Sequence, residues 1–265
     1  MTEVLNDDGK DAAVLFERQG DIAVITLNRP GQRNAVNGAL AIGLHNAVKA
    51  FEAEPALRVA ILAGAGKVFC AGMDLTSFAQ SEVDDVLQGE GRFAGFVALE
   101  RSKPIIAAVQ GAALAGGMEI MLACDMVIAE RSAKFGLPEA RIGLFAGGGG
   151  VFRLAQRMPP CKATEYVVTG ATFSAQEAER YGLLNRVVDD GGAMDAALEL
   201  AREVARSAPR SVEQSLRLLR LSGHESEERL WPLNDTMLAD ILASDDAQEG
   251  VRSFREKRAP DWAGT

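Results

Sequence analysis

Apolar and polar positions along the chain fall into two regimes. Residues 1–12, MTEVLNDDGKDA, show no apolar period and are expected to be disordered. From Ala13 onward, in AVLFERQGDIAVITLNRP, two apolar runs flank the turn-rich RQGD, which predicts a β-hairpin ended by Pro30. Spacing near 3.6 in the segment closed by AFEAEP predicts a helix over 37–53, with Asn37 as N-cap and Pro55 as stop. VAILAG (59–64) reads as a buried strand, and GAGKVFCAGMDL (64–75) as a glycine-punctuated loop. Residues 76–103 are polar and glycine-spotted, with helical spacing only around 82–100, and are expected to form a mobile segment over a site. PIIAAVQGAALAGG (104–117) reads as a buried strand followed by a loop, GMEIMLACD as a short helix, DMVIAE (125–130) as a strand and AKFGLPEARIG as strand then loop. The glycine run 146–150 precedes a helix start, VFRLAQRM. FSAQEAERYGLLNRVV reads as helix then strand, with Ser174 and Glu177 in capping-box spacing. From about residue 191 every segment is helical. The pattern is therefore α/β, with one mixed region over 1–190 and an all-helical region over 191–265.

One residue breaks the pattern. LAGGMEIMLACD (114–125) is almost wholly apolar, yet holds Glu119. A carboxylate in apolar surroundings is destabilised as an anion, so its pKa rises toward the range useful for proton transfer near neutrality. The alternative is a Glu on the exposed face of the helix. Gly116 and Gly117 precede this helix by only two residues, and a helix N-terminus offers free N–H groups and a partial positive charge that favour an anionic ligand. FCAGMDL (69–75) follows a strand and offers further backbone N–H groups, and two such loops aimed at one oxygen make an oxyanion hole. In GLPEARIGLFAGGGG, Glu139 follows a proline that fixes its backbone. The glycine run lacks the Gly-Lys-Ser/Thr of a P-loop, which argues against nucleotide hydrolysis.

Composition narrows the classes. Of 265 residues, 28 are Lys or Arg and 37 Asp or Glu, a net charge of −9 that argues against a nucleic-acid surface. No apolar run approaches a membrane span. Three scattered cysteines make neither a metal pattern nor a disulfide framework, and with the acidic N-terminus they point to the reducing cytoplasm. No metal ligand set is expected; Cys70, Trp231 and Trp262 read as packing residues, and His45 and His224 as neither catalysts nor metal ligands.

Six segments then carry a resemblance: NRPGQRNAV (28–36), KVFCAGMDL (67–75), KPIIAAVQGAALAGGMEIMLACDMVIA (103–129), AKFGLPEARIGLFAGGGGVFRL (133–154), TGATFSAQEAERYGLLNRVV (169–188) and FREKRAPDW (254–262). In this order the chain resembles the crotonase family of enoyl-CoA hydratases and isomerases. The resemblance implies a spiral of ββα units and a C-terminal helical trimerisation region, assembled as a homotrimer or homohexamer. It implies an acyl-CoA substrate, no separate cofactor, and a place in fatty acid metabolism. Glu119 and Glu139 match the two catalytic carboxylates. Ala71 and Gly116 match the oxyanion-hole donors, and Gly147 a position whose N–H holds the water. Coenzyme A would meet Arg33, Ala35 and the loop Gly72, Met73, Asp74 and Leu75, with Phe254 and Lys257 supplied by a neighbouring subunit. Retention of both acids favours a hydratase or dehydratase over a Δ3-Δ2-enoyl-CoA isomerase or a non-catalytic acyl-CoA-binding protein. Ala115, Met118 and Ala146 depart from the common pattern, and RMPPCKATEYVVTG and EKRAPDW resemble the carnitinyl-CoA dehydratase members more than the short-chain hydratase.

Overall fold

The computed structural model describes residues 3–4, 12–76 and 83–264. The hairpin pairs β2 (Val14–Gln19) with β3 (Ile22–Leu27) around Gly20, and β1 (Glu3–Val4) adds an edge against Arg18 and Glu17. Of the N-terminal stretch expected to be disordered, Glu3 and Val4 are thus paired, and 1–2 and 5–11 lie outside the described residues. β3 continues in parallel into β4 (Val59–Gly64), β5 (Ile105–Val109), β7 (Met126–Glu130) and β10 (Arg186–Val188). A second sheet joins β6 (Ala112–Leu114), β8 (Lys134–Gly136) and β9 (Phe173–Ser174).

Both faces of the large sheet are covered, which is why its inner strands are unbroken apolar runs. In β4, Ala60 and Leu62 face a core with Leu40, Leu44 and Phe51 of α1 (Gly38–Ala53). Val59, Ile61 and Ala63 face the opposite core, closed by Ala193, Ala197, Ala201 and Ala205 of a helix, Ala193–Ala205. An alanine every fourth residue gives that helix a smooth stripe for close approach. This helix follows residue 190 in sequence yet packs on the strands that precede it. Asn37 caps α1 as expected, its side chain accepting from the Leu40 N–H at 3.0 Å.

The segment expected to be mobile packs against the core from Phe93 onward. After α2 (Val83–Leu87), residues Phe93, Ala94, Phe96, Val97 and Leu99 are all buried; 77–82 lie outside the described residues. The catalytic candidates sit around α3 (Gly116–Ala123) and the start of α4 (Gly150–Arg157). Beyond them run α5 (Pro160–Thr169), α6 (Ala175–Arg180), the alanine-striped helix as α7, then α8 (Pro209–Ser222), α9 (Glu227–Leu242) and α10 (Asp245–Glu256). The expected capping box at Ser174 and Glu177 is formed. The chain end is tied down by Glu249, which accepts from Arg252, Arg258 and the Asp261 N–H. The Trp262 indole donates to the Arg206 carbonyl at 2.7 Å.

Candidate active site

Three loops converge at the ends of the strands, and Asn34 joins two of them. It is fully buried with φ of 54°. Its carboxamide oxygen accepts from the Arg29 N–H at 2.9 Å, and its nitrogen donates to the carbonyls of Ala65, Val68 and Phe69 at 3.0, 2.8 and 3.1 Å. A buried amide satisfied on both ends is a rigid clip. Short bridges pair Val36 with Met73 and Cys70 with Ala113, so the 64–75 loop lies between the start of α1 and β6. Gly72 (φ 101°) has no room for a side chain, because a Cβ there would lie 2.7 Å from Ala115 Cβ and 3.0 Å from the Gly116 nitrogen.

This geometry corrects one assignment. The Ala71 N–H is bonded to the Arg33 carbonyl at 3.0 Å, so it is turned away from any ligand oxygen. The neighbouring loop groups pair through the Gly72 carbonyl and the Asp74 N–H, both with Val36, at 2.8 and 2.9 Å. Among the described residues no hydrogen bond occupies the Met73 N–H or the Gly116 N–H. These two, rather than Ala71 and Gly116, are the donors the fold leaves open side by side. Which N–H of a loop is engaged depends on its pairing partner, a contact that residue types do not reveal.

Glu119 stands in the first turn of α3 and is 3% exposed. The Gly150 N–H donates to its Oε1 at 2.8 Å. Burial pushes its pKa from 4.5 to about 7, the Gly150 hydrogen bond opposes that, the charge of Glu139 adds to it, and the Gly148 N–H and Arg153 oppose it. Glu139, in the 3-10 turn Pro138–Ile142, is 9% exposed, and its Oε2 is buried with no hydrogen-bond partner among the described residues. Burial raises its pKa as well, against a backbone hydrogen bond of its own. Both buried acids are thus biased toward the protonated form, Glu119 with the charge of Glu139 adding to the bias.

The glycine run serves Glu119 directly. A Cβ on Gly148 would lie 2.7 Å from Glu119 Oε2, and one on Gly150 2.9 Å from its Cγ. Gly147 is exposed, and a Cβ there meets only Phe145, at 3.6 Å or more. Arg153 donates to the carbonyls of Gly148 at 3.0 Å and Val97 at 2.5 Å, fixing the loop from behind. At the far end of α3, Arg101 donates to the Ala123 carbonyl at 2.6 Å and Arg157 to that of Cys124 at 3.2 Å. Cations at the C-terminus leave the positive N-terminal end, at Gly116, aimed at the site. Gly148, Gly150, Arg153 and Asn34 were not singled out from the sequence; Asn34 and the glycines did stand within its motifs.

The remaining candidates divide into two groups. Arg33 is exposed on the rim, Ala35 is half-buried beside it, and Leu75 is 55% exposed. Asp74 is paired with Arg29 at 3.2 Å and accepts from the Thr76 N–H, so it braces the loop. Cys70 is buried, its thiol donates to the Asn34 carbonyl at 3.1 Å, and burial pushes its pKa up to about 12, as suits a packing residue. Met118 is fully buried in the core. Phe254 and Lys257 lie at the end of α10, Phe254 86% exposed and Lys257 a left-handed cap, and neither makes a hydrogen bond to the loops above. Among the described residues no group of His, Cys, Asp or Glu is placed to hold a metal ion, and no helix is long and apolar enough to cross a membrane.

An α/β fold with two open N–H groups beside two buried carboxylates defines an enzyme of the crotonase-like class. The chain belongs to the enoyl-CoA hydratase/isomerase family, whose model matches residues 17–265. It is 41% identical over 252 residues to a carnitinyl-CoA dehydratase of Proteus mirabilis (strain HI4320), covering 93% of this chain and 96% of that one. The crystal structure of an enoyl-CoA hydratase from Mycobacterium tuberculosis H37Rv superposes with a TM-score of 0.93 at 42% identity, over 96% of this chain and 100% of the other. A probable enoyl-CoA hydratase/isomerase from Mycobacterium abscessus gives a TM-score of 0.90 at 46% identity, over 96% and 99%. The expected crotonase-like α/β fold is therefore borne out.

Proposed function

We propose that this protein adds water across the 2,3 double bond of an enoyl-CoA thioester, or catalyses the reverse dehydration. The observation that carries this reading is the pairing of Glu119 with Glu139, both buried and both raised in pKa, beside the open N–H groups of Met73 and Gly116. The thioester oxygen accepts from those two N–H groups. Ionised Glu119 takes a proton from water as its oxygen bonds to C3, and the negative charge moves onto the thioester oxygen as an enolate. Protonated Glu139 then gives its proton to C2, and the water-derived proton later restores it. Donors preset for the enolate oxygen are worth about 3 kcal/mol each to the transition state. The Gly147 N–H helps hold the water, while Gly148 and Gly150 hold the carboxylate.

Arg33, Ala35, Gly72 and Leu75 bind the coenzyme A portion, with Met73 contributing its N–H and Asp74 bracing the loop. Phe254 and Lys257 reach the ligand of a neighbouring subunit in a homotrimer or homohexamer, built through residues 191–265, in the cytoplasm. Coenzyme A is part of the substrate, and no further cofactor, nucleic acid or membrane is required. The names of the relatives support hydration or dehydration, and the carnitinyl-CoA dehydratase resemblance makes a hydroxylated or cationic acyl chain a substrate to test.

The test is turnover of crotonyl-CoA and a panel of longer, branched and cationic enoyl-CoAs in water enriched in heavy oxygen. Label at C3, lost in both Glu119→Gln and Glu139→Gln, is the expected result. Double-bond migration without label, or full hydration by either variant, overturns the two-carboxylate mechanism.

A further inference from the structure

Three arginines gather behind the active site, and none of them is paired with a carboxylate among the described residues. A cleft of about 1240 Å³ separates α8 from the far end of α3, and Arg101, Arg153 and Arg157 stand on its walls beside Leu122 and Ala123. All three are half-buried there. Their guanidiniums donate to backbone alone: Arg101 to the Ala123 carbonyl, Arg157 to that of Cys124, and Arg153 to those of Gly148 and Val97. Arg101 Nε is buried with no partner among the described residues, and so is Gln214 Oε1 on the α8 wall. Burial lowers the pKa of all three arginines, and the charges of Arg101 and Arg157 lower that of Arg153 further.

The acids on the same walls are committed elsewhere. Asp125 is held by Arg220 at 2.8 and 3.0 Å. Glu52 accepts from the Ser102 N–H and hydroxyl and from the Lys103 N–H, and Glu90 from Lys49. The charge of Glu213 acts on Lys103, and Glu100 is exposed. The Cys124 thiol, pushed by burial up to about 12, stays neutral. Glu119, raised by burial to about 7, offers Arg153 only part of a charge. The C-terminal end of α3 adds about half a negative charge. Three cations face that sum, and half-buried like charges without a counter-ion are costly. The inner end of the cleft is short of negative charge.

We propose that this cleft is an anion site: a phosphate-class oxyanion enters between Arg101, Arg153 and Arg157 and restrains Glu119 through Arg153. Guanidinium forks match phosphate oxygens in pairs, and a tetrahedral anion meets several forks where one planar carboxylate meets fewer. Hydrogen phosphate also keeps an O–H for an acceptor such as Gln214 Oε1. The link to catalysis is short. Arg153 holds the Gly148 carbonyl, Gly148 adjoins the Glu119 carboxylate, and the Arg153 charge favours ionised Glu119. An anion that neutralises Arg153 leaves that acid more often protonated, and so unable to take a proton from water. The site stands apart from the hydratase reading, and its effect on turnover rests on that reading.

Calorimetric titration of the assembled protein with inorganic phosphate, against chloride at equal ionic strength, tests the site. Phosphate is expected to bind the wild type where chloride does not, and to bind Arg101→Gln and Arg157→Gln roughly tenfold or more weakly. If one variant does not fold, the other carries the comparison. No phosphate binding by the wild type, or unchanged affinity in the variants, overturns the site. Kinetics with crotonyl-CoA then test the link, with phosphate expected to lower kcat and leave KM unchanged. A raised KM alone, with affinity kept in the variants, puts phosphate on the Arg33 rim and overturns the proposal. An unchanged kcat, with binding lost in the variants, overturns the restraint on Glu119 and leaves the anion site standing. A wild type that hydrates nothing, yet binds phosphate through Arg101 and Arg157, overturns the hydratase reading and supports the site.

Discussion

Glu119 is bound by two opposed demands, and its titration exposes both. In the unfolded chain it ionises near 4.5, whereas burial in the folded protein moves it to about 7. Between those values the folded state holds more protons than the unfolded one, so stability falls as pH rises through that window and levels off above it. Below 4.5 the penalty is absent. The span corresponds to roughly 3 kcal/mol. Glu119→Gln keeps the shape and an oxygen for the Gly150 N–H but cannot ionise. It should match the wild type in urea unfolding at pH 4.5, and exceed it at pH 8 by up to about 3 kcal/mol, while losing hydration. An equal gap at both pH values would show that Glu119 is not the burdened acid. The oddity of that acid was visible in the sequence, because one carboxylate stood in an otherwise apolar run. The open donor was not visible, since Ala71 and Met73 differ in what their N–H groups meet, and that depends on Arg33 and Val36 some forty residues earlier.

At the scale of elements, the glycine run and the start of α3 share the work around that carboxylate. Their glycines are not equivalent. Gly148→Ala would drive a methyl group into Glu119 Oε2, whereas Gly147→Ala meets only the Phe145 ring at ordinary contact distance. Gly148→Ala is therefore expected to lower kcat by roughly a hundredfold and Gly147→Ala by little, since small displacements of a catalytic group have such costs. Comparable losses in both would mean that the loop acts through flexibility instead. Ala115 precedes α3 with φ 50° and ψ −129°, a conformation costing a residue with a Cβ about 1–3 kcal/mol. Ala115→Gly should stabilise the protein by about 1 kcal/mol in denaturant unfolding, and a loss of stability would show that the Cβ packing against Gly72 outweighs the strain. Longer elements were legible where period and punctuation agreed. The hairpin of 14–27 and helix α1 are examples, with Asn37 and Pro55 marking the limits of the latter. Among the elements that escaped, β6 and α5 show definite reasons. β6 has three residues, too few for a period, and is defined by partners across β8. α5 drew no reading of its own from the sequence; its Pro160 takes the first-turn position where a missing N–H does no harm.

The whole molecule leaves its C-terminal helices unfinished as a single chain. α8 buries no residue fully, and α9 buries only Met237 among its described positions. Leu238 and Leu242 of α9 are 52% and 67% exposed, and Val251 and Phe254 of α10 are 54% and 86% exposed. Leu242 and Val251 also line one shallow concavity on this surface. Apolar side chains gathered in this way are what a surface covered by another protein would present. A second and third copy of the chain, arranged in a closed ring, would cover it and bring Phe254 and Lys257 to a neighbour's Arg33 rim. The expected outcome is that the wild type sediments as a trimer or a pair of trimers. Leu242→Asp combined with Val251→Asp should fall to the mass of one chain, because two buried carboxylates without partners cost several kcal/mol at each interface. The same variant should show a raised KM for acyl-CoA, since the contacts of Phe254 and Lys257 would leave with the neighbour, while Glu119 and Glu139 stay intact within the chain. A wild type that sediments as one chain at micromolar concentration, yet hydrates normally, would place the entire coenzyme site within a single subunit and leave the exposed helices to another partner.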